Sequence, residues 1–80
     1  MSEVNDDLAN VLTLLVDSPR DVAIQEDSGE DRPRLEVTVA DGDLGKVIGR
    51  QGRTARALRR VLAARAAHGD SPWELKILDN

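Results

Sequence analysis

The chain has 80 residues, a formal net charge of −4, no cysteine and a single aromatic residue, Trp73. That length allows one domain with one modest core, and with 40% apolar and 32% charged residues it is too hydrophobic for a disordered tail and charged enough for a water-facing surface. Without cysteine there is no disulfide, thiolate metal site or cysteine nucleophile, which fits a reducing cytoplasm; no apolar run is long enough for a bilayer span, and the acidic start has the wrong sign for a signal peptide.

In chain order, residues 5–16 read as an amphipathic helix, with Leu8, Val11, Leu12 and Leu15 at i, i+3, i+4, i+7 and Asp6 and Asp7 at its positive end. Ser18-Pro19 ends it. Residues 21–26 alternate, with Val22 and Ile24 on one face of a strand; residues 27–33 are a polar turn or hairpin loop. A second strand covers 34–40, with Leu35, Val37 and Val39 opposite Glu36 and Thr38. Asp41-Gly42-Asp43 breaks the alternation and can cap a short helix over 44–48. After an interruption at Gly49-Arg50-Gln51-Gly52 a longer helix runs from 53 to about 67, ended by His68-Gly69 and Pro72. A last strand spans 73–78, with Trp73, Leu75 and Ile77 on one face. The order αββααβ predicts an α+β domain over 1–80, its helices covering one face of a three-stranded sheet, with flexible ends at 1–4 and 79–80.

Charge is unevenly spread along this order. Residues 1–43 hold twelve acidic and three basic side chains, a balance of −9, and residues 44–80 hold eight basic and three acidic, a balance of +5. From Lys46 to Arg65 there are seven basic residues, six of them arginine, and no acid. Arginine suits bidentate phosphate contacts, so this block says more about partners than the net charge does. On a helical wheel Ala55, Leu58, Val61, Leu62 and Ala66 face the core, while Arg53, Arg56, Arg59 and Arg60 lie on the other side and Arg65 nears the apolar edge. The helix begins just after Gly52, where free N–H groups and the positive dipole end favour an anion.

Val47-Ile48-Gly49-Arg50-Gln51-Gly52-Arg53-Thr54-Ala55 resembles the KH-domain signature, a Gly-x-x-Gly loop between a short and a longer helix that clamps single-stranded nucleic acid. The element order is similar to the type II (prokaryotic) KH arrangement. Size, the Gly45-Lys46-Val47-Ile48-Gly49 approach and the ending from Trp73 are similar to the small bacterial single-domain proteins of the KhpA (YlqC) family. The resemblance implies a backbone clamp at Gly49, Arg50, Gln51 and Gly52 and a groove lined by Val47, Ile48, Ala55 and the last strand. Lys46, Arg50 and Arg53 would supply counter-charge, and Arg56 and Arg60 would extend the track. Many KH loops carry lysine at a variable position; here Arg50 is the one charge. The acidic loop 27–31 corresponds to the variable loop and reads as a solvated turn. The resemblance further implies single-stranded RNA as partner, RNA-chaperone or post-transcriptional work linked to cell-wall homeostasis and cell length, and dimerisation, with itself or with a larger KhpB-type (Jag/EloR) protein.

Other chemistries fit poorly. A Walker A loop ending at Gly52-Arg53-Thr54 would need glycine where Val47 stands, and no Gly-x-Gly-x-x-Gly occurs. His68 reads as a helix-end residue, and with one histidine and no cysteine neither a metal site nor an acid–base or nucleophilic centre suggests itself. The expectation is a cytoplasmic non-enzyme with no cofactor, no metal and no membrane association. Two alternatives compete: a helix-turn-helix-like DNA binder, and a KH-fold adaptor that binds an acidic protein instead of RNA.

Overall fold

The structure, a computed structural model, describes residues 3–27 and 32–78. The expected flexibility at 1–2 and 79–80, and the turn at 28–31, lie outside the described residues. Three α-helices and three strands follow the αββααβ order: α1 Glu3–Leu15, β1 Ala23–Asp27, β2 Arg34–Thr38, α2 Leu44–Ile48, α3 Arg53–Ala67 and β3 Glu74–Ile77. Short 3-10 turns at Pro19–Asp21, Asp41–Asp43 and Arg50–Gly52 join them.

The sheet order is β1-β2-β3. The first pair is an antiparallel hairpin with Ile24 opposite Val37. The second is parallel, with Leu35 beside Leu75 and Val37 beside Ile77, because α2 and α3 form the crossover that parallel pairing requires. Period-2 alternation then sorts the faces. Leu35, Val37 and Leu75 are buried against the helices, while Ala23, Gln25, Glu74 and Lys76 on the opposite face are exposed. Helices therefore cover one face of the sheet, as the pattern predicted.

The core joins Val4, Leu8, Leu12 and Val16 to Leu35, Val37, Val39, Val47, Leu58, Leu62 and Leu75, with Ile24, Trp73 and Ile77 packed partly against it. Three expectations need correction. Helix α1 starts at Glu3 and buries Val4, so residues 3 and 4 are its first turn rather than part of a loose end. Its buried line is Val4, Leu8 and Leu12, whereas Val11 and Leu15 are exposed; successive i+4 steps rotate each residue by only about 40°, so the line tracks one narrow seam. Val61 is likewise exposed, because α3 buries only Ala55, Leu58 and Leu62.

Candidate nucleic-acid interface

The segment between α2 and α3 has an unusual backbone. Gly49 (φ 78°), Gln51 (φ 56°) and Gly52 (φ 74°) all have positive φ. A Cβ on Gly49 would stand 2.8 Å from both Cβ and backbone N of Thr54, so glycine is required there by backbone angle and by space. Gln51 has no such freedom, and the left-handed region costs a non-glycine residue roughly 1–2 kcal/mol. Two bonds brace it: the Gly52 N–H donates to the Gly49 carbonyl at 3.1 Å, and Nη2 of Arg56, one turn into α3, donates to the Gln51 carbonyl at 2.7 Å.

Beside this loop lies an open groove of about 360 Å³ lined by Ile48, Gln51, Gly52, Ala55, Arg56, Arg59 and Ile77. It has an apolar floor contributed by α2, α3 and β3 and an arginine wall from α3. Arg50 and Arg53 are exposed at the loop, and Arg60 is exposed on α3 away from the groove lining. Among the described residues, no acidic group pairs with Arg50, Arg53, Arg56, Arg59 or Arg60.

Arg65 differs, with Nη1 2.5 Å from Asp7 and Nε 2.9 Å from Asp70. The guanidinium, and secondly the Ser71 N–H, hold the Asp70 carboxyl below its usual value, while Asp70 and then Asp7 hold Arg65 above its own. Arg65 thus fastens the end of α3 to α1. Lys46 is similarly occupied, its ammonium bonded to Asp17 and 3.3 Å from Asp43. Asp17 is the main cause of its raised pKa, and its charge is largely compensated where it sits.

The structure therefore brings together Ile48, Gly49, Gln51, Gly52, Ala55 and Arg56, with Arg50 and Arg53 alongside. Val47 does not line the groove: it is fully buried in the core, on the face of α2 turned towards α3 and α1. Asp43 does not cap α2 with its side chain but accepts the backbone N–H groups of Asp17 and Ser18 instead. Two lining residues were not singled out from sequence. Arg59 follows Arg56 at i+3 on the basic helix face already recognised in the sequence, but was not among the expected site residues. Ile77 depends on where β3 pairs, which periodicity does not reveal. Asp27, at the edge of the acidic loop, is salt-bridged to Arg34 at 2.9 Å.

No group of three or more metal-ligating side chains occurs among the described residues, and no described helix is long and apolar enough to cross a membrane. The helix-turn-helix alternative, whose domains are usually all-helical, does not fit, because here α3 packs against β3 of a three-stranded sheet.

The chain is 42% identical over 72 residues to the RNA-binding protein KhpA of Treponema pallidum, covering 90% of both chains. It is 39% identical over 72 residues to the RNA-binding protein KhpA of Chlamydia trachomatis, covering 90% of this chain and 92% of that one. To that of Chlamydia caviae it is 38% identical over 77 residues, covering 96% and 99%. No solved structure gives a significant match. The family described as "KhpA/KhpB, KH domain" matches residues 5–77, spanning the Gly-x-x-Gly loop, the groove and the whole sheet: the chain belongs to the KhpA/KhpB KH-domain family.

Proposed function

We propose that this chain binds single-stranded RNA, without catalysis, by holding its sugar-phosphate backbone at Gly49, Arg50, Gln51 and Gly52 while bases enter the groove over Ile48, Ala55 and Ile77. One observation carries the reading: five arginines with no acidic partner among the described residues surround a braced, positive-φ turn beside an apolar groove. Glycines let a backbone approach closely, and arginine offers a planar fork to phosphate. The relatives' description as RNA-binding proteins supports the same assignment. Arg50 and Arg53 supply the local counter-charge and Arg56 and Arg60 continue it along α3, with Lys46 contributing least because Asp17 and Asp43 already hold it.

The family resemblance extends this reading to a cytoplasmic RNA chaperone or post-transcriptional regulator acting on cell-wall homeostasis and cell length. A lone KH module grips only about four nucleotides, so tight binding calls for a second module. The exposed apolar side chains Leu14 and Val61 favour association with a second copy or with a larger KhpB-type partner.

Ultraviolet crosslinking to RNA tests the clamp, comparing the native chain with an Arg50→Asp/Gln51→Asp variant. Aspartate tolerates the left-handed angle at 51, and both side chains are exposed, so the variant folds. Two acids in the loop should reduce crosslinking by about tenfold or more. Undiminished crosslinking by the folded variant would overturn the loop assignment. If native protein binds neither single-stranded RNA, single-stranded DNA nor duplex DNA, the adaptor reading replaces it.

A further inference from the structure

Arg59 lines two concavities, not one. Besides the groove at the loop there is a second, of about 460 Å³, bounded by Arg32, Arg59, Pro72, Trp73, Glu74 and Leu75. The two are neighbours along the seam between α3 and β3, with the Arg59 side chain between them. The chain's one aromatic side chain sits in the second. Trp73 is only half-buried: it packs partly against the core cluster and also lines the concavity. Core closure at this end of β3 falls to Leu75, which is buried, so the indole is not consumed by packing. Arg32 and Arg59 are exposed, and neither pairs with an acid among the described residues.

We propose that this second concavity is a nucleotide subsite, in which an RNA base stacks on the indole of Trp73 while Arg59 and Arg32 hold the adjoining phosphates. It rests on the RNA-binding reading and lengthens the track that begins at the loop. Stacking on an aromatic plane accepts any base, since each presents a π-face. Arginine on either side neutralises the backbone without reading sequence. Glu74 on the rim repels phosphate, which keeps the backbone on the arginine side and turns the base towards the indole. Continuity through Arg59 lets one strand occupy both places, so the footprint exceeds the roughly four nucleotides of a bare KH groove.

Trp73 also reports on its own site, because the chain has one tryptophan and no tyrosine. Native protein is titrated with single-stranded oligoadenylates of about four and about eight nucleotides, lengths chosen against the KH footprint, reading tryptophan emission and the anisotropy of labelled RNA together. The longer oligonucleotide should quench Trp73 strongly, and the shorter, held at the loop, should leave most emission unchanged. Trp73→Leu, which keeps an apolar side chain on the core, should weaken the longer RNA by roughly tenfold and the shorter hardly at all. Should that variant fail to fold, Arg32→Glu at an exposed position should likewise erase the advantage of length. If both lengths bind but the longer neither quenches Trp73 nor loses affinity in these variants, the subsite is wrong while the clamp, tested at Arg50 and Gln51, stands. If native protein binds neither oligonucleotide, both readings fall.

Discussion

The Asp43 carboxylate accepts the N–H groups of Asp17 and Ser18 at 3.1 and 2.9 Å, tying the end of α1 to the start of α2. Its exposure is only 3%, so burial works against ionisation. The Asp17 N–H outweighs this, followed by the Ser18 N–H and the Lys46 ammonium, and the carboxyl lies below its ordinary value. A depressed pKa in the folded state stabilises the fold above the unfolded value, near 3.9, and that contribution fades as pH falls through the folded value. Asp43→Asn keeps one acceptor but loses the charge and presents an NH2 to donors. It should lower the melting temperature at neutral pH by about 5 °C or more. The gap between native and variant should begin to narrow only as pH falls below about 4 and shrink further as the folded carboxyl is protonated; thermal scans across pH 2–7 check it, and a gap that stays constant into acid would exclude the carboxylate as its source. The same small scale governs the loop, where Gly49 is required by Thr54 and by a positive φ, while Gln51 tolerates its angle because neighbours brace it.

Helix α3 performs three tasks with three stripes. Ala55, Leu58 and Leu62 pack inward; Arg65 binds Asp7 on α1 and Asp70 just beyond the helix; and Arg56 and Arg59 face the groove. Within the last stripe Arg56, a phosphate partner in the proposed function, also braces the Gln51 carbonyl. Arg60 is exposed with no bond to the loop, so its contribution is charge alone. Arg60→Ala should therefore lower RNA affinity about evenly across sequences and flatten the log affinity–log salt slope by about one unit. Arg56→Ala should do the same, weaken binding several-fold further, and speed amide exchange at Gln51 and Gly52. Salt titrations with both variants and hydrogen exchange on Arg56→Ala check this. Equal losses and unchanged exchange would leave Arg56 as charge only.

Across the whole molecule, a net charge of −4 coexists with a basic block because the acids lie mostly before residue 44. Folding then uses some charges to hold elements together, through Lys46 with Asp17 and Asp43, Arg65 with Asp7 and Asp70, and Arg34 with Asp27. The arginines around the loop and groove are left out of these pairs. Between α1 and α3 an apolar recess of about 150 Å³ lies among Leu8, Val11, Leu58, Val61 and Leu62, with Leu14 86% and Val61 57% exposed. If modules associate through this face, Val61→Glu should shift the chain towards monomer in sedimentation velocity without lowering its melting temperature, since its side chain is not core. Loss of the second module should also weaken binding to long RNA more than to short RNA. Sedimentation unchanged by Val61→Glu would exclude this face as the contact.

Much of this was legible in the sequence, because local rules are written in local patterns. Alternation fixed Leu35 and Val37 as inward residues, the 3.6-residue period with His68-Gly69 bounded α3, and the glycines at 49 and 52 marked the turn. The sequence also determined that basic and acidic side chains fall in different halves, and the motif that led to the KH family. Only the tertiary structure decided which of those charges remain available. Lys46 and Arg65 are as basic as their neighbours in the sequence, yet both sit within reach of carboxylates that are distant along the chain. It also decided that Val47 is core while Ile48 and Ile77 meet in one groove, and that Arg59 joins this groove to Trp73. Periodicity states which face a residue shares with its neighbours along the chain; what lies opposite that face depends on strand pairing and helix packing, which bring together residues that no local pattern connects.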